Sequence, residues 1–309
     1  MPSAIPSSVP SPTERPQSKV TGYIFAAIAS IGLGAAVAFS RAAYDGGTDP
    51  LSISAVRGVY GALMVGTMCL VLGRGLRVSW TVWRQCLWLG GLVSFMYYGN
   101  IGSVQYIPIG LAALLFFIYP PLVAIIMAAW DHERLGAVKI TALATSFSGL
   151  AVMLGVDLEM LDWRGVAIGL TAGIACAMNA SWIGRKMQHV DPFVMTFHMT
   201  VVASVILIVI AAVTGGITLP VTQMGWIGAL GVIFFQGSSI PFFYAAIGHI
   251  GAPKASMLNN LQPVASIIIA YFLFTEAMTL SQVIGGSMVL GGILLMQWQD
   301  SRQGRRRGS

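Results

Sequence analysis

Between Thr21 and Trp298 the chain passes through one apolar stretch of about twenty residues after another, each bounded by a short cluster of charged, Pro and Gly residues. A backbone that leaves water must satisfy its N–H and C=O groups internally. A helix does this, and at 1.5 Å per residue about twenty residues cover the roughly 30 Å hydrocarbon core of a bilayer. A membrane barrel would need short segments alternating apolar and polar residues, whereas these stretches are apolar on every face. With 56% hydrophobic and 9% charged residues, there is also too little polar surface to solvate a globule of 309 residues.

The sequence therefore predicts an all-α integral membrane protein with ten transmembrane helices. The spans fall near Thr21 to Phe39, Leu51 to Leu72, Trp83 to Ser103, Ile107 to Ala129, Ala137 to Val156, Gly165 to Ile183, Phe193 to Thr214, Met224 to Ile247, Ala252 to Phe274 and Ser281 to Trp298. If the amino terminus is cytoplasmic, 14 Lys and Arg residues fall on that side and three, Arg41, Arg57 and Arg164, on the other. The positive-inside rule then puts both termini in the cytoplasm, and the net charge of +6 reflects topology rather than an acidic partner.

Residues 1–20, rich in Pro and Ser, read as a disordered cytoplasmic arm. They do not read as a cleaved signal peptide, since Met1 is followed by no basic segment and the first apolar run is long enough to span. Residues 299–309 read as a basic cytoplasmic tail. Arg305, Arg306 and Arg307 are the ordinary flank of a last helix, not a nucleic-acid site. Cys69, Cys86 and Cys176 lie in or beside spans without pairing or ligand spacing and read as small core residues.

The spans repeat. Tyr119-Pro120 followed by Glu133 recurs as Gln262-Pro263 followed by Glu276, at an offset of 143 residues. The same offset carries Gly22 onto Gly165, Ala112 onto Ala255 and Gly149 onto Gly292, and Asp49-Pro50 meets Asp191-Pro192 one residue out of step. Residues 21–156 and 164–298 thus form two five-helix repeats. Five is odd, so the copies enter the membrane from opposite sides, with Glu133 at the cytoplasmic face and Glu276 at the outer face. Inverted repeats let one pattern build two gates of opposite orientation and comparable energy.

Two segments carry a resemblance. The stretch SVQYIPIGLAALLFFIYPPLVAIIMAAWDHERLGAVKITALATSFSGLAVMLG resembles the fourth and fifth helices of an EamA domain, and HIGAPKASMLNNLQPVASIIIAYFLFTEAMTLSQVIGGSMVLGGILLM resembles the second copy. Together they are similar to the ten-helix exporters of the drug/metabolite transporter superfamily. The resemblance implies a central cavity lined by helices 1, 3, 4, 6, 8 and 9, with 5 and 10 packed to one side. It does not fix the substrate, because the family carries amino acids, other metabolites, vitamins and toxic compounds. The chain departs from the pattern at Pro121, an added proline, and at Gln262, where relatives commonly carry Glu.

Near the predicted midplane several spans hold one polar group in apolar surroundings: Ser30, Tyr119, Asn179, Gln236, Asn259 and Gln262. A neutral amide in lipid is costly without a partner, so these groups face a wet cavity or another helix. Aromatic residues lie close by at Tyr97, Tyr98, Trp182, Phe235, Phe243 and Tyr244. The substrate-binding candidates are Ser30, Tyr98, Tyr119, Asn179, Trp182, Gln236, Tyr244, Asn259 and Gln262. Such a lining suits a small amphipathic solute, and the alternative role for each residue is helix packing or an interfacial belt. Pro120, Pro121 and Pro263 interrupt the helical ladder in mid-span and are the candidate hinges, with Pro241 a further interruption.

No carboxylate stands deep enough to trade protons for a cationic drug. His198 is the one imidazole well inside a span, as a relay or as a satisfied interfacial residue. Glu133 and Glu276 read as first-turn carboxylates that complement helix dipoles, with a gate or coupling role as the alternative. Arg41 and Arg57 are expected at the outer ends of helices 1 and 2, where they snorkel, pair with Asp45 or Asp49, or guide an anionic group. Lys254, at the cytoplasmic start of helix 9, has the same readings. The seams Gly285-Gly286, Gly291-Gly292 and Ser148-Gly149 pack helices within one chain, with a homodimer as the alternative to a monomer.

An enzyme would need a nucleophile and base or a metal set, and neither HExxH, GxSxG nor a His/Cys cluster is present. A phosphate-binding loop, a filter loop and a ring of charge are missing too. No enzyme activity, metal or cofactor is expected. The expected function is a secondary transporter of the inner membrane that moves a small organic metabolite by alternating access, in the export direction. An uptake permease of the same fold, or a receptor or scaffold, is the alternative.

Overall fold

The computed structural model describes residues 19–103, 106–132, 135–155, 162–274 and 278–307. The described residues form helices and no strand: α1 (Lys19–Asp45), α2 (Pro50–Val71), α3 (Trp80–Gly102), α4 (Ile109–Phe116), α5 (Tyr119–Trp130), α6 (Ala137–Leu154), α7 (Trp163–Lys186), α8 (Pro192–Thr214), α9 (Gln223–Ile250), α10 (Ala252–Leu258), α11 (Leu261–Phe274) and α12 (Leu280–Arg307). Among them nine segments are long and apolar enough to cross a membrane, with α4–α5 and α10–α11 each counting as one. The third expected span, α3, has 23 residues but falls outside those nine; Thr81, Arg84 and Gln85 dilute its first turns.

Two expected spans are broken rather than continuous. Phe117 and Ile118 separate α4 from α5, and Asn259 and Asn260 separate α10 from α11. Pro120 and Pro121 remove the amides that would bond the carbonyls of Phe116 and Phe117, and Pro263 removes the one owed to Asn259. The Asn259 carbonyl is instead taken by the Gln262 amide at 3.0 Å, a tighter turn than α. Pro241 breaks nothing, since α9 runs through it. At the other extreme α12 continues past Trp298 to Arg307, because the stretch beyond it holds no proline and several good helix formers. Residues 1–18, Glu133 and Glu276 lie outside the described residues.

Packing between the halves is reciprocal. α1 lies on α9 and α11, and its counterpart α7 lies on α3 and on α4 and α5; α2 meets α9 as α8 meets α3. Two corresponding pairs, α2 with α8 and α6 with α12, pack directly on each other. Both pairs are antiparallel. A Cβ on Gly285 would lie 2.4 Å from Gly149 O, and one on Gly292 would lie 2.6 Å from Ala142 O, so both helices of the second pair need bare backbone there. Ser146 Oγ donates to Val289 O at 3.3 Å across the same seam. Gly291 faces open space and takes no part.

The α2–α8 pair is tied at both ends by the same device. Asp49 caps α2, accepting from the amides of Leu51 and Ser52 at 2.8 and 3.0 Å, and the hydroxyls of Ser52 and Thr218 donate to its other oxygen. Thr218 belongs to the α8–α9 loop, whose Val221 amide also donates to Gly46 O at 2.9 Å. At the far end Asp191 caps α8 through the amides of Phe193 and Val194, and Arg74 of the α2–α3 loop pairs with its free oxygen at 2.5 Å. Carboxylates at helix starts satisfy orphan amides and face the positive end of the dipole. Each crossing loop is thereby held to the turn that begins its partner helix.

Candidate functional site

The helix breaks bring the polar candidates together. Asn259, at the α10–α11 break, donates from Nδ2 to Tyr119 Oη at 2.8 Å and to Gln262 Oε1 at 3.3 Å. Ser30 of α1 lies 2.7 Å from Ala26 O, 3.2 Å from Leu258 O and 3.3 Å from Asn259 Oδ1, so three acceptors compete for its one proton. Tyr119, with no exposed surface at all, reaches Ser256 O only at 3.5 Å. Four sequence candidates therefore form one chain of hydrogen bonds through α1, α5 and the α10–α11 break.

The mirror position is closed by bare backbone. Gly173, 143 residues after Ser30, abuts the α4–α5 break: a Cβ there would lie 2.7 Å from Leu115 O and 3.0 Å from Phe116 O. Leu115 and Leu258 are separated by the same 143 residues. α1 thus lies on the α10–α11 break and α7 on the α4–α5 break, through a hydroxyl in one case and through glycine in the other.

Beside this network is a partly open cavity of about 70 Å³ whose lining residues are mostly buried. Its polar wall is Arg57, Tyr97, Tyr119, Gln236, Tyr244, Asn259 and Gln262, with Cys176; its apolar wall is Leu33, Met96, Phe116, Ile240 and Phe243. The lining comes from α1, α2, α3, α4, α5, α7, α9 and the α10–α11 region, and none comes from α6, α8 or α12. Ligand sites of drug size are typically about 300–1,000 Å³, so helices must part before a solute of that size enters.

The placement of the candidates is uneven. Tyr119, Gln236, Tyr244, Asn259 and Gln262 line the cavity, and Ser30 supports Asn259 from behind. Tyr98 is not in the lining; its neighbour Tyr97 is, and Tyr98 packs beneath Gly102. Asn179 is buried between α7 and α3, where Nδ2 donates to Leu89 O at 3.4 Å and Oδ1 has no partner. Trp182 lies in a separate open recess of about 530 Å³ with Trp88, Trp130 and Arg84, where its Nε1 donates to Gln85 at 3.2 Å. Aromatic and basic residues clustered in this way are what an interfacial belt supplies. Pro120, Pro121 and Pro263 stand at the breaks, as the ladder argument requires.

Arg57 is the main departure from the sequence expectation. It does not reach an outer end or pair with Asp45 or Asp49. Seven residues into α2, it is only 4% exposed, donating to Gln236 Oε1 at 2.5 Å and to Tyr97 O at 3.2 Å, with its guanidinium 4.2 Å from the centre of the Tyr97 ring. The signal was available: Arg57 is the one Asp, Glu, Lys or Arg inside the second predicted span, and a charge there marks a functional site by default. Leu89, Val93 and Tyr97 form a buried stripe with a spacing of four that Tyr98 does not join, which a span apolar on every face does not reveal in sequence. His198 donates to Leu76 O at 2.8 Å, which ties α8 to the α2–α3 loop. No group of His, Cys, Asp or Glu among the described residues could hold a metal.

Comparison with known proteins supplies the class. The profile of the EamA-like transporter family matches residues 20–155 and 163–298. The chain belongs to that family and is a membrane transporter. It is 26% identical over 259 residues to an uncharacterized transporter of Archaeoglobus fulgidus, covering 82% of this chain and 88% of that one. It is 24% identical to the uncharacterized transporter YvbV of Bacillus subtilis, covering 83% and 85%, and 24% identical over 208 residues to the uncharacterized inner membrane transporter YicL of Salmonella typhimurium, covering 63% and 66%. One solved crystal structure shares the fold at a TM-score of 0.78 and 15% identity, over 93% of this chain and 99% of that chain.

Proposed function

We propose that this transporter is a secondary carrier of the inner membrane, exporting a small organic metabolite by alternating access through the central cavity. One observation carries the reading: the cavity lies where the α4–α5 and α10–α11 breaks meet, and its lining combines hydrogen-bonding groups with apolar ones. A ten-span arrangement with inverted halves is supported by the antiparallel run of α2 with α8 and of α6 with α12, and by the reciprocal packing. Cytoplasmic termini are supported by the Lys and Arg distribution, in which Arg57, being internal, no longer counts for the outer side. An inner-membrane location agrees with the description of the Salmonella relative. The cavity residues are the substrate-binding candidates, and Pro120, Pro121 and Pro263 are the hinges that let the breaks flex.

The test is flux. Compounds that accumulate in cells lacking the protein should cross proteoliposomes containing it at a saturable, solute-selective rate. A non-saturating current would mean a channel, and turnover of the solute without translocation an enzyme.

A further inference from the structure

We infer that the central site takes an organic anion, a small carboxylate with an apolar body, and that Arg57 is its anchor. The inference rests on the transport reading above and adds the charge of the substrate. A guanidinium removed from water is costly unless an anion or a full set of acceptors replaces its hydration. Arg57 is buried, yet its two protein hydrogen bonds go to a neutral amide and a backbone carbonyl, and its Nε has no partner. Among the described residues no carboxylate forms an ion pair with it, and the cavity lining contains neither Asp nor Glu. Two of the five N–H groups of the guanidinium are used and the Nε one is sealed off, which leaves one each on Nη1 and Nη2 for a ligand, a planar fork that suits a carboxylate.

The rest of the wall agrees in sign. Among the described residues the hydroxyls of Tyr97 and Tyr244 make no hydrogen bond, Tyr119 Oη donates only a long one, 3.5 Å to Ser256 O, and the Gln262 amide nitrogen has no acceptor. The site offers donors in excess, with one formal positive charge and no formal negative one. Phe116, Ile240 and Phe243 face the same space and would bury the apolar body. Arg57 is also absent from the repeat: at the offset of 142 that relates Asp49-Pro50 to Asp191-Pro192, its counterpart is Met199, a fully buried core residue. The fold therefore does not need a cation at this place. An inside-negative membrane potential drives an anion outward, so export of such a substrate needs no second ion.

The experiment uses the full-length protein in nanodiscs and probes matched in their apolar part: small aryl and branched-alkyl carboxylates, their primary amides and the corresponding amines. Wild type should bind the carboxylates and reject the amides and amines. Arg57→Gln should weaken carboxylate binding by about 30-fold or more, while Arg57→Lys, which keeps the charge and loses the fork, should retain a preference for anions. Should Arg57→Gln not fold, the wild-type preference and Arg57→Lys carry the test. Binding of amides or amines as tight as that of carboxylates, no binding of any carboxylate, or unchanged binding by folded Arg57→Gln would overturn the assignment. Uptake into proteoliposomes separates the two levels. Transport of only neutral or cationic probes would leave the carrier standing without the anion; carboxylates bound through Arg57 but never translocated would do the reverse.

Discussion

Gln262 and Asn179 are both buried amides, yet their surroundings differ. Gln262 meets the cavity with a free amide nitrogen, whereas Asn179 is enclosed between α3 and α7 with its oxygen unpaired. Gln262→Ala should lower transport several-fold with little change in unfolding temperature, since it removes a wall contact. Asn179→Ala should instead leave the transport rate per folded molecule near wild type, because the residue touches helices rather than solute. Transport normalised to folded protein separates the two, and an equal fall in both would contradict the distinction, while equal loss of folded protein would make both amides structural. Sequence could not divide them, because depth along a helix does not reveal the direction a side chain faces.

Among the elements, caps and seams carry the most testable physics. Burial pushes the Asp49 carboxyl upward, but hydrogen bonds from Ser52 and Thr218 and from the amides of Ser52 and Leu51 outweigh it and hold the group below its ordinary value. A carboxylate depressed by folding stabilises at pH above its unfolded value and loses that contribution as pH falls through the lowered one. The α1–α2 turn should therefore loosen from the α8–α9 loop below about pH 4, and Asp49→Asn, which keeps the cap, should flatten that part of the pH profile of thermal unfolding. An unchanged profile would remove the carboxylate from the account.

The α6–α12 seam makes a second claim: Gly285→Ala puts a methyl 2.4 Å from a backbone oxygen of Gly149 and should cost about 1–3 kcal/mol in unfolding measurements, while Gly291→Ala, facing open space, should cost nothing measurable. The sequence indicated that these helices pack through small residues, but not which glycines meet. It also gave the prolines but not the breaks, since Pro241 and Pro263 read alike and only one interrupts its helix. At Pro263 the preceding Asn259 finds Tyr119 and Gln262 across the turn; at Pro241, where the preceding Ser239 bonds back to Phe235 O at 2.6 Å within the helix, the helix is kept.

In the whole molecule, the internal offset of 143 residues was the most legible feature, because a mid-span proline followed by a span-end Glu does not recur at one offset by composition alone. The reciprocal contacts of α1 with α11 and of α7 with α4 and α5 agree with it. What the offset could not carry is the exception to the repeat, Arg57 against Met199, and that exception gives the cavity its charge. The central claim is that this cavity opens to each side of the membrane in turn. Cys176, a native thiol in its wall, is the reporter. With Cys69 and Cys86 replaced by Ala, an impermeant thiol reagent applied to sealed vesicles should modify Cys176 from the outer side and, in separate vesicles, from the inner side, without itself crossing. Modification from one side only, under every condition and with every transported solute, would contradict the account.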